Sequence, residues 1–280
     1  AVSELEAVRA RLRTFYGTAV PASIARLAMW LAADQTNVGE FQERALLESH
    51  IEPALAMLDA PLPARDTFRY STEPPEYIPI AGSGNDGESI GLLQRAPELG
   101  GDELPFISHF PAAFGAEVCD LGADLPSALA NFVASYDDDT PDVMLWGLFD
   151  DPVPRGRYTG EAPLPFQIPA GYRFSPSADR VGVLAPADAF GDETSRPSLD
   201  RFATTEADVA AAIAQMERVC DDGYPATAIG IARDLRYHDI GGSLKPALAT
   251  WRRAAAALNR PWHVAMLDEL GASSPQAGRT

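Results

Sequence analysis

The stretch that decides the fold is residues 204–235, which read TTEADVAAAIAQMERVCDDGYPATAIGIARDL. Its first part carries apolar residues at steps of four, three and four, and this spacing predicts a helix with one buried face. The residues of this face are Val209, Ile213, Met216 and Cys220. Thr204 or Thr205 can accept hydrogen bonds from the free amides at the helix start. We therefore expect a capped, amphipathic helix.

An acidic turn separates this helix from a second one. Gly223 can adopt the left-handed conformation that ends a helix, and Pro225 suits the first turn of the next. We name Asp221, Asp222 and Gly223 the acidic elbow. A carboxylate at the negative end of a helix dipole is disfavoured by up to about 1 kcal/mol, so the pair has no local electrostatic reason to be there. It is either a solvated turn or a pair of carboxylates presented to a partner.

The composition excludes several classes of function. The chain has 280 residues, 46% apolar and 22% charged, which is typical of a globular protein. A formal net charge of −18 argues against a nucleic-acid surface, which needs clustered Lys and Arg. No apolar run approaches the roughly 20 residues of a membrane helix, and no leader pattern is seen. We expect a soluble, cytoplasmic protein whose partners are proteins or small molecules. Neither a membrane nor a nucleic acid is expected among its partners.

The periodic segments predict an α+β fold with small antiparallel sheets flanked by helices and a helical C-terminal portion. Helical spacing opens the chain, and a weaker helix over about residues 39–59 is broken or divided at Pro53. From Phe68 the pattern changes to short β-rich runs between turn residues. A buried strand is expected at residues 181–185, before the capped helix and two further amphipathic helices.

We expect two poorly separated halves. The N-terminal α+β half takes residues 1–136, a linker-like segment 137–169, the C-terminal half 170–271 and a tail 272–280. The linker begins with three aspartates, but it lacks the alternating ligands and the glycine of a calcium loop. The spacing of Cys119 and Cys220 predicts neither a zinc site nor a disulfide framework. No metal site is expected.

A glycine-rich loop at residues 82–87, GSGNDG, matches the glycine spacing of a dinucleotide-binding fingerprint. That fingerprint requires a helix after the loop, whereas residues 89–93 read as a strand and Asn85-Asp86-Gly87 is a hairpin signal. The loop is therefore interpreted as a hairpin turn. The alternative, a free-standing enzyme that uses NAD, predicts that the isolated chain binds NAD.

Four stretches carry a family resemblance: VPASIARLAMWL at 20–31, FRYSTEPPEY at 68–77, the strands from Gly91 through Ile107, and residues 183–235 with the acidic elbow. In this order they resemble the histone PARylation factor family, whose members complete the active site of poly(ADP-ribose) polymerases. The resemblance implies an accessory factor in protein ADP-ribosylation. Its partners would be an ADP-ribosyltransferase and the protein substrate. NAD would be held by the transferase, so this chain would bind no cofactor.

The resemblance also implies a site. The family's second acid at the elbow is a general base that deprotonates a serine hydroxyl, and its match here is Asp222. Asp221 and an arginine would orient that base, with Arg201 as the nearest equivalent and Arg196 as a possible one. The family base is a glutamate, so Asp222 is one methylene shorter, which changes its reach by about 1 Å.

A second resemblance gives an alternative function. Residues 20–31 and 78–87 are similar to the SUKH immunity superfamily, over the N-terminal half of the chain only. An acidic surface suits a protein that neutralises a toxin, so net charge does not separate the two functions. A SUKH-like immunity or protein-binding module is expected to bind its partner without using Asp222.

Overall fold

The structure is a computed structural model, and its architecture is α+β, as predicted. It describes residues 3–45, 47–63, 74–82, 88–99, 106–110, 117–122, 125–134, 168–192, 196–200, 203–238 and 244–272. Over these residues eight α-helices and two antiparallel sheets form two compact units. The first unit takes the described residues within 3–63 and 77–134, and the second takes 74–76 and those within 168–272.

The helices of the first unit follow local sequence signals. They are α1 (Glu4–Tyr16), α2 (Ala22–Ala33), α3 (Thr36–Ala45) and α4 (Leu125–Ala134). Ser3 caps α1 by accepting a hydrogen bond from the Glu6 amide, and Gly17 ends the helix at φ 69°. The predicted Pro-led helix is α2, whose buried face includes Ile24 and Leu27. Each of these helices therefore places one apolar face in the core of the unit.

The helix predicted over residues 39–59 is wrong beyond Ala45. There the chain forms the short strand β1 (Glu48–Ser49) and a 3-10 turn at Pro53–Leu55. Leu47, Ile51 and Leu55 are all buried, and their spacing of four imitates a helix although no helix connects them. Pro53 heads the 3-10 turn because its ring fixes φ and removes an amide donor.

Five antiparallel strands form the sheet of the first unit, in the order β1-β2-β3-β4-β5. After β1 these are β2 (Tyr77–Gly82), β3 (Ser89–Leu93), β4 (Phe106–Phe110) and β5 (Glu117–Gly122). Gly82 pairs with Ser89, so β2 and β3 are the two arms of a hairpin, and no helix follows the glycine loop. The hairpin interpretation is confirmed for its strands, while residues 83–87 lie outside the described residues.

The second unit combines a two-stranded sheet with four helices. The elements are β6 (Tyr172–Ser175), β7 (Val183–Pro186), α5 (Glu206–Asp221), α6 (Pro225–His238), α7 (Leu244–Ala257) and α8 (Pro261–Ala272). Nearly all of the first part of α6 is buried, and its neighbours α5 and α7 pack against it. The core includes Met216, Ile231 and Trp251. The acidic elbow joins α5 to α6, and the packing of these helices holds both of its ends in place.

Some predictions fall outside the described residues. They concern the strand at Phe68, most of the linker (residues 137–167), and the tail from residue 273. Residues 74–76 belong to the second unit. A division of the chain into two consecutive halves would place them in the first. Within the described part of the chain, no helix has the length and apolar character needed to cross a membrane.

Candidate functional site

The start of α5 is fixed by a reciprocal pair of side chains. Thr205 Oγ1 accepts a hydrogen bond from the Asp208 amide at 3.3 Å, and Asp208 Oδ2 accepts one from the Thr205 amide at 2.9 Å. This is a capping box, and it identifies Thr205 rather than Thr204 as the cap. The hydrogen bonds from the Thr205 side chain and amide lower the pKa of Asp208.

The buried face of α5 largely matches the apolar face predicted from the sequence. Val209 and Met216 are buried as expected, and Ala212 is buried with them. Ile213 and Cys220 lie at the edge of this face, where they are partly buried against the core. The last turn of the helix is thus held by packing on one side and reaches solvent on the other.

The acidic elbow has the conformation that its residues predict. Asp222 is the C-terminal cap residue of α5, and Gly223 follows with φ 90°. The amides of Gly223 and Tyr224 donate to the carbonyls of Cys220 and Val219 at 3.2 and 2.8 Å. These bonds satisfy free carbonyls at the end of α5, and α6 then begins directly at Pro225. The backbone around the two carboxylates is therefore well determined.

The two carboxylates differ in their contacts. Asp221 Oδ1 accepts a hydrogen bond from Arg253 Nη1 at 2.8 Å, and both side chains are more than half exposed. The side chain of Asp222 is exposed and has no hydrogen-bond or ion-pair partner among the described residues. One acid is held by an arginine of α7, and its neighbour is open to an incoming group.

Arg253 was missed by sequence reasoning. The hydrogen bond to Asp221 is the main reason why the pKa of Arg253 is raised. Its only sequence signal is an exposed position on an amphipathic helix, next to the buried Trp251. Which helix it faces depends on how α7 packs against α5, and helical spacing contains no information on that packing.

The arginines expected to orient the base are placed as follows. Arg201 lies outside the described residues, so its role stays a prediction. Arg196 contacts neither acid of the elbow but forms an ion pair with Asp234 at 2.7 Å. It also donates to the carbonyls of Pro176 and Gly230, at 2.8 Å each. Arg196 thus joins the segment before α5 to α6.

An exposed aromatic residue borders the elbow. Tyr224 is 38% exposed, and its ring packs on the backbone of Gly191, where a Cβ atom would come within 2.9 Å of the ring. The Gly191 amide donates to Thr227 Oγ1 at 3.1 Å, which fixes the backbone beneath the ring. A partly exposed aromatic side chain therefore lies directly after the two carboxylates in the chain.

A second cluster of charge lies in the interior of this unit, around Arg233. Its side chain is fully buried and donates to Asp179 from Nε at 3.3 Å and from Nη2 at 2.7 Å. Nη1 lies 2.5 Å from Glu76 Oε2, whose side chain is 3% exposed. Glu76 is the glutamate of the Pro-Pro-Glu stretch, so the structure joins two of the stretches that carry the family resemblance.

The pKa values in this cluster follow from burial and charge. Burial alone would raise the pKa of Glu76, but Arg233 and His263 outweigh it and lower the pKa to about 2. Burial would likewise lower the pKa of Arg233, but Asp179 and Glu76 raise it. Glu76 and Arg233 therefore stay ionised at neutral pH, and their burial identifies the pair as a structural element of this unit.

No group of three or more His, Cys, Asp or Glu side chains that could hold a metal ion occurs among the described residues. Cys220 is a free thiol next to the elbow, and its burial raises its pKa. The chemistry available at the elbow is therefore that of a carboxylate acting as a hydrogen-bond acceptor or a proton acceptor.

No protein-family model matches the chain, and no curated protein matches its sequence.

Proposed function

We propose that the chain is an accessory factor in protein ADP-ribosylation that presents Asp222 to the active site of a partner ADP-ribosyltransferase. The observation that carries the proposal is the arrangement of the elbow. Asp221 is held by Arg253 at 2.8 Å, while the adjacent Asp222 is exposed and has no partner among the described residues. The family resemblance of the elbow supplies the reaction.

A positioned carboxylate fits the chemical need of this reaction. A serine hydroxyl is a weak nucleophile until a base accepts its proton, and the base must lie within hydrogen-bond distance of the hydroxyl. Asp222 would accept the proton while the serine oxygen bonds to the ribose carbon and nicotinamide leaves. NAD and its binding groups belong to the transferase, so the chain has no stand-alone activity in this proposal.

The position of Asp222 supports presentation to another protein. The residue lies on a turn between two packed helices, so its backbone is rigid before any partner binds. Its charge is placed at the unfavourable end of the α5 dipole, and it forms no ion pair with a described side chain. Exposed Tyr224 gives a partner an aromatic contact beside the acid.

Arg253 takes the positioning role that the resemblance gives to an arginine before α5. By holding Asp221, it joins the last turn of α5 to α7 and engages one of the two carboxylates. Asp222 is then the acid that meets the substrate. Arg201 remains a prediction for a second positioning residue.

The test uses an ADP-ribosyltransferase from the same organism, NAD and a protein substrate. The native chain is expected to increase modification, or to shift it to a serine linkage that resists hydroxylamine. Asp222→Ala and Asp222→Asn are expected to lose about 100-fold or more of that stimulation, because both remove the proton acceptor. Asp222→Glu, which restores the length of the family's base, is expected to retain the stimulation.

The matched control is Asp268→Asn. Like Asp222, Asp268 is an exposed acid of the same unit, but Arg252 holds it as Arg253 holds Asp221, with Nε–Oδ1 at 2.5 Å. Its neutralisation should leave the stimulation unchanged. If a transferase binds the native chain but its activity does not change, the borrowed-base function is overturned. The chain would then act by binding alone, as in the immunity alternative.

A further inference from the structure

The two acids that contact Arg233, Asp179 and Glu76, come from different parts of the chain. Asp179 lies in the turn between β6 and β7, where Ser177 Oγ and the Val181 amide both donate to its Oδ1. Glu76 instead belongs to the short segment 74–76, far from the rest of this unit in sequence. Asp179 is therefore a fixed part of the surroundings of Arg233, and Glu76 is brought to them.

The guanidinium of Arg233 divides its donors between these acids. Nε and Nη2 form one edge, and both donate to Asp179. Nη1 is left for Glu76, at 2.5 Å from Oε2. The planar fork of an arginine suits such divided recognition, because each edge can bind a separate carboxylate. Nε and Nη2 therefore bind one carboxylate, and Nη1 is the position that binds the second.

The charge balance sets a condition for a second carboxylate at this place. Arg233 and Asp179 neutralise each other, so another buried acid needs further positive charge nearby. His263 of α8 is 1% exposed and lies close enough to act electrostatically on Glu76. Without Glu76, Nη1 of Arg233 would lack its carboxylate in a buried space, and His263 would lose the acid on which it acts.

We infer that Arg233 and His263 form a built carboxylate-binding site, and that the chain's own segment 74–76 is its ligand through Glu76. The ligand class is a small carboxylate attached to the Pro-Pro-Glu segment. This site is separate from the acidic elbow, and it stands whether or not the chain acts in ADP-ribosylation.

The test is chemical rescue in the full chain. Glu76→Ala removes Cγ and the carboxylate, a fragment of the size of acetate. We expect a lower melting temperature that sodium acetate restores, with a gain that rises with the logarithm of acetate concentration. Sodium chloride at the same ionic strength should not restore it. Glu76→Gln fills the space with a neutral amide, and its lower melting temperature should not respond to acetate.

The matched control is Asp268→Ala, which removes the acid of the exposed pair with Arg252, whose side chains are 51% and 53% exposed. Water already solvates that arginine, so acetate should have no effect. An equal acetate effect in Glu76→Ala, Asp268→Ala and the native chain would overturn the inference, as would a Glu76→Ala chain with the native melting temperature. If Glu76→Ala does not fold in buffer, the yield of refolding in acetate decides: recovery supports the site, and no recovery at any acetate concentration overturns it.

Discussion

Two arginines of the same unit, Arg233 and Arg253, bind carboxylates in opposite environments. Arg233 is fully buried between Glu76 and Asp179, whereas Arg253 is exposed and holds the exposed Asp221. A buried charge that loses its partner is very costly, while an exposed pair contributes little to stability. The comparison therefore separates an ion cluster that holds the fold together from an ion pair that is available for function.

Breaking the buried cluster is expected to have the largest effect. Arg233→Ala leaves Glu76 and Asp179 buried without their cation, and we expect a loss of about 3–5 kcal/mol in the free energy of unfolding. Urea unfolding followed by the fluorescence of the buried Trp251 and Trp262 measures this loss. Arg252→Ala, at an exposed pair, is the control and should leave the midpoint nearly unchanged. Equal losses in the two variants would contradict the comparison.

The buried cluster also predicts a dependence on pH. The pKa of Glu76 is lowered from an ordinary 4.5 to about 2, so its contribution is complete above pH 4.5 and is lost as the pH falls toward 2. The shift corresponds to about 3 kcal/mol. Urea midpoints measured across this range should fall more steeply for the native chain than for Glu76→Gln. Parallel curves would show that Glu76 does not carry this dependence.

Breaking the pair of Arg196 and Asp234 should cost less stability than breaking the buried cluster and more than breaking the exposed pair. Their side chains are 13% and 14% exposed, and burial raises the pKa of Asp234 in spite of Arg196. Arg196→Ala is expected to cost about 1–3 kcal/mol, because it removes the ion-pair partner of Asp234, which keeps only the Ala178 amide as a donor, and the second donor to the carbonyl of Gly230. Arg196→Lys should recover little, since one ammonium cannot reach all of these acceptors. The same urea titration measures both variants.

Breaking the exposed pair of Arg253 and Asp221 should cause the smallest change in stability and a clear change in function. Arg253→Ala frees Asp221, and we expect an unchanged melting temperature together with a severalfold loss of stimulation in the ADP-ribosylation assay. Raising the salt concentration should also reduce the stimulation by the native chain, because salt screens exposed charges such as those of Arg253 and Asp221. A large drop in melting temperature would place Arg253 among the structural arginines instead.

The features predicted correctly from sequence were those with local causes. Thr205, Gly223 and Pro225 act on the backbone within a few residues of themselves, and so the acidic elbow was placed correctly. The strands of the glycine-loop hairpin were recognised from an equally local turn signal. Such signals depend on one turn of chain and not on its surroundings.

The features that were missed depend on distant contacts. Arg253 reaches Asp221 only because α7 packs against α5, and Glu76 reaches Arg233 across a long separation in sequence. In the first unit, the spacing of Leu47 and Ile51 imitates a helix, but burial there comes from the surrounding core. Periodicity reports which side chains are buried, and it does not report which groups they meet.

The contact between Arg196 and Gly230 has an evolutionary consequence. A Cβ atom at position 230 would lie 3.0 Å from the guanidinium carbon, and that guanidinium is pinned by Ser175, Pro176 and Asp234. To admit it, the arginine would have to shift by a few tenths of an ångström, which strains these bonds. Positions 196 and 230 should therefore covary among diverging descendants of this chain: a larger residue at 230 should be found more often where the arginine at 196 has been replaced.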